Sequence, residues 1–192
     1  MAGKRQVDEY YVRFEKKPNK LISIIFDTLD SLKGAVTVVF IIFMLLFRAV
    51  GVEGSSMTPT LVDGDWVAVS SVTSHVNHGD IVVITQPWER DIPIIKRVIG
   101  VAGDTIDINF ETGEVFINGE LQQEDYILEP TLTNYNAAFP LTVPEGRIFV
   151  MGDNRNGSLD SRSSKVGLID ERYVLGRAAF RIWPNTKNLK VK

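Results

Sequence analysis

The rhythm of hydrophobic and polar positions changes once along this chain, near residue 52. Before that point stands one long apolar run, GAVTVVFIIFMLLF at 34–47, followed by Arg48 and AVGV. After it, short β-branched stretches alternate with turn residues. WVAVSSV (66–72), DIVVIT (80–85), IPIIKRVIGV (92–101), DTIDINF (104–110), EVFI (114–117), RIFVMG (147–152) and GRAAFRIW (176–183) read as strands. Asn118-Gly119 predicts a hairpin turn with positive φ at both central positions. Thr112-Gly113 marks a second turn, and the polar, proline-bracketed stretch 128–144 reads as an extended loop. No long helical period appears between 56 and 184, so this part predicts one mainly β domain.

The apolar run fits a membrane anchor. Residues 34–47 alone would reach about 21 Å as a helix, short of the roughly 30 Å hydrocarbon core. Counted through Val52, the run reaches about 28 Å, with Arg48 near one end, where it can snorkel to the headgroups. A buried core helix is the other reading of such a run, but this one is apolar all round with β-branched residues on every side, which fits a membrane span better. A cleaved signal peptide would have a much shorter leader. Lys4, Arg5, Arg13, Lys16, Lys17, Lys20 and Lys33 precede the span, whereas Arg48 alone follows it closely. That asymmetry places the N-terminus in the cytoplasm and the β domain outside a cell membrane crossed once. Leu21, Ile25, Leu29 and Leu32 recur at helical spacing, as in an amphipathic helix on the inner surface or an extension of the anchor. The expected organisation is a cytoplasmic segment over 1–33, a transmembrane anchor over 34–52 and an extracytoplasmic β domain over 53–192.

Composition removes several function classes. A net charge of -3 gives no basic field for nucleic acid. The chain has no cysteine, hence no disulfide, thiolate zinc site or cysteine nucleophile. His75 and His78 lie in the polar stretch SHVNHGD and do not have the spacing of a helical metal site. No glycine loop of the phosphate-cradling kind is present, and no cofactor or metal is expected.

Three stretches concentrate chemistry. EGSSMTPTL (53–61) carries Ser55 and Ser56 just beyond the apolar run. A serine hydroxyl is a weak nucleophile until a base takes its proton. Without a suitable histidine, that base is a carboxylate or a neutral lysine. In PIIKRVIG (93–100), Lys96 shares a strand face with Ile94 and Val98, and Arg97 shares the other with Ile95 and Ile99. Burial on such a face lowers a lysine pKa toward the working range of a general base. An ordinary strand whose Lys96 and Arg97 reach solvent is the other reading. GDNRNGSLDSR (152–162) fails the ligand spacing of a calcium loop, since Arg155 intrudes. It reads as a polar loop braced by Asp–Arg pairs. Asn156-Gly157-Ser158 matches a glycosylation sequon, a frequent chance match.

In this order, behind one anchor, these stretches resemble the type I signal peptidases of bacteria, in their shorter Gram-positive form. The resembling motifs are Ser56-Met57-Thr58-Pro59-Thr60-Leu61, KRVIGVAGD from Lys96 to Asp104, and GDNRNGSLDSR from Gly152 to Arg162, extending through GRAAFRIWP at 176–184. The resemblance implies a mainly β catalytic fold related to that of the SOS-repressor autoproteases, without the extra β domain of longer relatives. It implies that Ser56 attacks the scissile carbonyl and that Lys96 is the general base. Ser158 would hydrogen-bond the lysine amine, Asp160 would lie near the dyad, and Asp153, Arg97 and Arg162 would brace the site. Met57 would offer an apolar surface beside the membrane. The partners implied are preprotein signal peptides, the lipid bilayer and the secretion machinery. The chain departs from the pattern at Gly54, where some relatives carry a serine that completes the oxyanion hole. It also departs at Asn156-Gly157, where many carry Asp-Asn, and at Ala102, where proline is frequent. An autoprotease of the SOS type would carry DNA-binding helices, and an ER-type peptidase a histidine at position 96. A catalytically degenerate β module that binds signal peptides is the non-enzymatic alternative.

Overall fold

A computed structural model describes residues 19–71, 75–85, 92–184 and 187–188. The chain divides after Leu45 into two compact units.

The described part of the first unit is helical. Helix α1 (Lys20–Leu46) is continuous over 27 residues, about 40 Å at 1.5 Å per residue. Asn19 Oδ1 accepts from the Leu21 N–H at its start. None of its residues is buried by protein, and it is long and apolar enough to cross a membrane. Several of its polar side chains bond along the helix itself. Thr28 and Ser31 donate to the carbonyls of Ile24 and Asp27, and Lys33 pairs with Asp30. The amphipathic stretch 21–32 is therefore the first half of α1, not a separate helix.

The anchor boundary expected at 52 is corrected. The helix ends at Leu46, and Phe47–Gly51 forms strand β1. β1 pairs antiparallel with β2 (Trp66–Ser70), from Phe47 opposite Ser70 to Gly51 opposite Trp66. Five residues that read as the end of an apolar run gain a ladder of hydrogen bonds in the second unit. Val50 packs there against the domain core.

The second unit is built on two sheets. β3 (Ile81–Ile84), β4 (Ile94–Gly100), β9 (Arg147–Met151), β10 (Ile169–Asp170), β11 (Val174–Trp183) and β12 (Lys187–Asn188) join β1 and β2. The order is β1-β2-β11-β3-β4-β9-β10, with β12 also on β11. β5 (Thr105–Asn109), β6 (Glu114–Ile117), β7 (Glu120–Leu121) and β8 (Leu141–Thr142) form the smaller sheet, ordered β7-β6-β5-β8. Asn118 and Gly119 take φ of 54° and 83° in the β6–β7 turn, as their sequence predicts.

All four residues of β3 are buried, as are all of β4 after Ile94. One core cluster holds Val52, Met57, Leu61, Ile81, Val83 and Ile95; a second holds Val82, Ile84, Val98, Val150 and Ile169. Ile99, Ile106, Val115, Phe149 and Met151 form a third beneath the small sheet. β4 is thus covered on both faces, and anything polar on it is removed from water.

Candidate active site

The turn after β1 is held from several sides. Thr58 N donates to Ser55 O at 3.1 Å, and Leu61 N to Met57 O at 2.9 Å. Gly54, at φ 83°, donates its N–H to Asp63 Oδ1. Met57 and Leu61 then point into the first core cluster, leaving Ser56 half-buried at the surface. The expectation that Met57 faces the membrane is therefore corrected. It is 1% exposed, because the tight turn directs it inward beside Leu61.

Lys96 lies opposite Val82 in the β3–β4 ladder. It is buried, with Nζ 2.8 Å from Ser56 Oγ and donating to Ile95 O at 3.0 Å. Burial lowers its pKa from 10.5 to about 8, against the opposing pull of Asp160 and Asp153. The reading in which Lys96 and Arg97 reach solvent does not hold, since Arg97 is fully buried as well.

The 152–162 loop forms the wall beside this pair. Asp153 accepts a bidentate bond from Arg97 Nε and Nη2, at 2.7 and 2.6 Å. Asp160 accepts from Arg162 Nε and Nη2, both at 2.8 Å, and from Gly152 N at 3.0 Å. Arg162 also donates to the carbonyls of Thr133 and Arg155. All four charged side chains are buried, so each carboxylate is neutralised where water cannot do it.

Ser158 differs from expectation. Its buried Oγ has no hydrogen-bond partner among the described residues, and it does not bond the Lys96 amine. Lys96 directs its bonds to Ser56 and Ile95, while Ser158 Oγ sits against Gly152. The sequon amide of Asn156 is engaged. Its Oδ1 accepts from Leu132 and Thr133, and its Nδ2 donates to Pro130 O. His78 lies apart from the dyad and contacts Asp104 at 2.6 Å. Burial opposes ionisation of Asp104, but the Val101 N–H, the Asn118 amide and His78 together lower its pKa.

The family pattern described as signal peptidase, peptidase S26, matches residues 25–183. This chain belongs to the S26 signal peptidase family. It is 38% identical to signal peptidase I of Bacillus licheniformis, over 88% of this chain and 94% of that protein. It is 34% identical to signal peptidase IB of Staphylococcus aureus, over 83% and 90%. Identity to the chloroplastic thylakoidal processing peptidase 1 of Arabidopsis thaliana is 32%, over 88% of this chain and 52% of that one. A crystal structure of a signal peptidase I from Enterococcus faecalis matches at 30% identity and a TM-score of 0.46, covering 54% of this chain and 97% of that one.

Within this S26 member, several supporting residues escape a reading by residue type. Asn154 donates its backbone N–H to Ser56 O and its side-chain amide to Ser55 O, fixing the serine turn to the far loop. Gly152 is the close approach that lets the two meet: a Cβ there would collide with Ser158 Oγ and Ser56 O. Arg155 binds Glu124 through two nitrogens and also Thr131. The density of Gly, Asn and Arg in GDNRNGS was the available signal. Their partners lie far away in sequence and left none.

Proposed function

We propose that this protein is a membrane-anchored serine endopeptidase that removes signal peptides from exported preproteins, with Ser56 as nucleophile and Lys96 as general base. The observation that carries the reading is the 2.8 Å contact between Lys96 Nζ and Ser56 Oγ, with the lysine buried and its pKa lowered to about 8. Family membership supplies the reaction class.

In its neutral form Lys96 accepts the Ser56 proton as Oγ attacks the scissile carbonyl. The Ser56 N–H stabilises the developing oxyanion. The Lys96 ammonium then protonates the leaving amine, which is the new N-terminus of the mature protein. The signal peptide remains as an ester on Ser56. Neutral Lys96 next takes a proton from water, whose oxygen attacks that ester, releasing the signal peptide carboxylate and the Ser56 hydroxyl.

The substrate is read as an extended strand. β9 begins pairing with β4 at Arg97, so Ile94 to Lys96 pair only with β3 among the described strands. That free edge suits strand addition by the cleavage-site segment. Helix α1 confines the enzyme to the bilayer in which signal peptides reside, which raises their effective concentration. The basic residues before it favour a cytoplasmic N-terminus and an extracytoplasmic β domain, near the secretion machinery.

The test is cleavage of a model preprotein in liposomes by wild type, Ser56→Ala and Lys96→Ala. Loss of turnover in both variants is expected. Full activity in either would overturn the dyad.

A further inference from the structure

Resting on the dyad reading above, we infer that Tyr126 is a positioning residue: its ring caps the buried Arg97–Asp153 pair and so holds Asp153 on Arg97 and away from the Lys96 amine.

The geometry starts from Arg97. Its guanidinium edge is occupied by Asp153, the Gly79 carbonyl at 2.9 Å and the Thr60 hydroxyl at 3.4 Å. Its flat face is left, and there the Tyr126 ring sits 4.0 Å from the guanidinium carbon. Arg155 lies over the same ring at 6.0 Å. A desolvated cation is attracted to an aromatic face, so the stack favours keeping Arg97 inside.

The ring is itself held. Tyr126 OH donates to Glu124 Oε1 at 3.1 Å, and Glu124 forks onto Arg155. Leu128 N donates to Asp153 O at 2.9 Å, tying the 124–128 segment to the loop it covers. Among the described residues, Glu124, Arg155, Arg97 and, behind it, Asp153 are the charged groups around the ring. Asp160 and Asp153 are the carboxylates that act on Lys96.

Arg97 and Lys96 project from opposite faces of β4, so the coupling runs through Asp153, which pairs with Arg97 and also acts on Lys96. Removing the aromatic cap loosens Arg97 and leaves Asp153 freer to stabilise the Lys96 ammonium, which raises the lysine pKa. The catalytic proton acceptor is then scarcer at neutral pH, although Tyr126 touches neither Ser56 nor substrate.

The experiment compares kcat/KM against pH for the full-length wild type, Tyr126→Leu, Tyr126→Phe and Lys96→Ala in detergent. Tyr126→Leu is expected to move the rising limb to higher pH by about half to one unit, lowering activity at pH 7 by about 3–10-fold and recovering it at high pH. Tyr126→Phe, which keeps the ring, should superimpose on wild type. The midpoint does not depend on how much enzyme is folded, so partial misfolding cannot imitate the shift. An unshifted midpoint in Tyr126→Leu, or an equal shift in Tyr126→Phe, overturns the inference. Retained activity in Lys96→Ala overturns the dyad itself, a separate outcome.

Discussion

Gly152 lies against the Ser56 carbonyl so closely that no β-carbon fits between them. The same space borders Ser158 Oγ, so one missing side chain brings the serine turn and the 152–162 loop together. The obstructing atoms include backbone, which cannot rotate away.

Gly152→Ala is therefore expected to abolish most activity by pushing Ser56 out of reach of Lys96. A misplacement of about 1 Å at a reacting group can cost on the order of 100-fold. Parallel measurement of cleavage and of thermal unfolding checks the idea. Near-wild-type turnover would show that the turn and loop can separate without harm.

Activity should rise with pH through the ionisation of Lys96. With a pKa of about 8, roughly one lysine in a hundred is neutral at pH 6. kcat/KM should climb about tenfold per pH unit below about 7 and level off above about 8 to 9. A limb centred near 10.5, the ordinary lysine value, would contradict the burial argument.

The buried lysine also costs stability. Its pKa is lower folded, about 8, than unfolded, 10.5. Between these values the unfolded chain binds more protons, so stability rises with pH across that window and is at its lowest below about 8. The gap corresponds to about 3 kcal/mol. Lys96→Met should be inactive and more stable at pH 7 by up to that amount. The difference should shrink as pH passes 8 and vanish above about 10.5. Denaturation of both proteins across pH is the check.

Asp153→Asn is expected to be strongly destabilising, because it leaves Arg97 as an unpaired buried cation. Breaking such a pair from one side costs about 3–5 kcal/mol. Ser158→Ala should behave oppositely, with unfolding stability unchanged or improved, since its hydroxyl is buried without a partner among the described residues. A large loss of stability in Ser158→Ala would mean that the hydroxyl is satisfied in the folded enzyme.

The residue pattern alone determined the apolar helix, the β character of the domain after it and the strand carrying Lys96. Each depends on periodicity over a few neighbours: a continuous apolar run for α1, alternation and turn residues for the strands. Motif order also pointed to Ser56, Lys96 and the braced loop. Where the helix stops was a different matter. Phe47–Gly51 is apolar enough to continue α1, and only the register offered by β2 makes it a strand. The inward turn of Met57, the orphan hydroxyl of Ser158, the fit at Gly152 and the ring of Tyr126 over Arg97 likewise required the tertiary structure. Each joins residues that are distant in sequence or depends on how the fold directs a side chain, and hydrophobic patterning records neither.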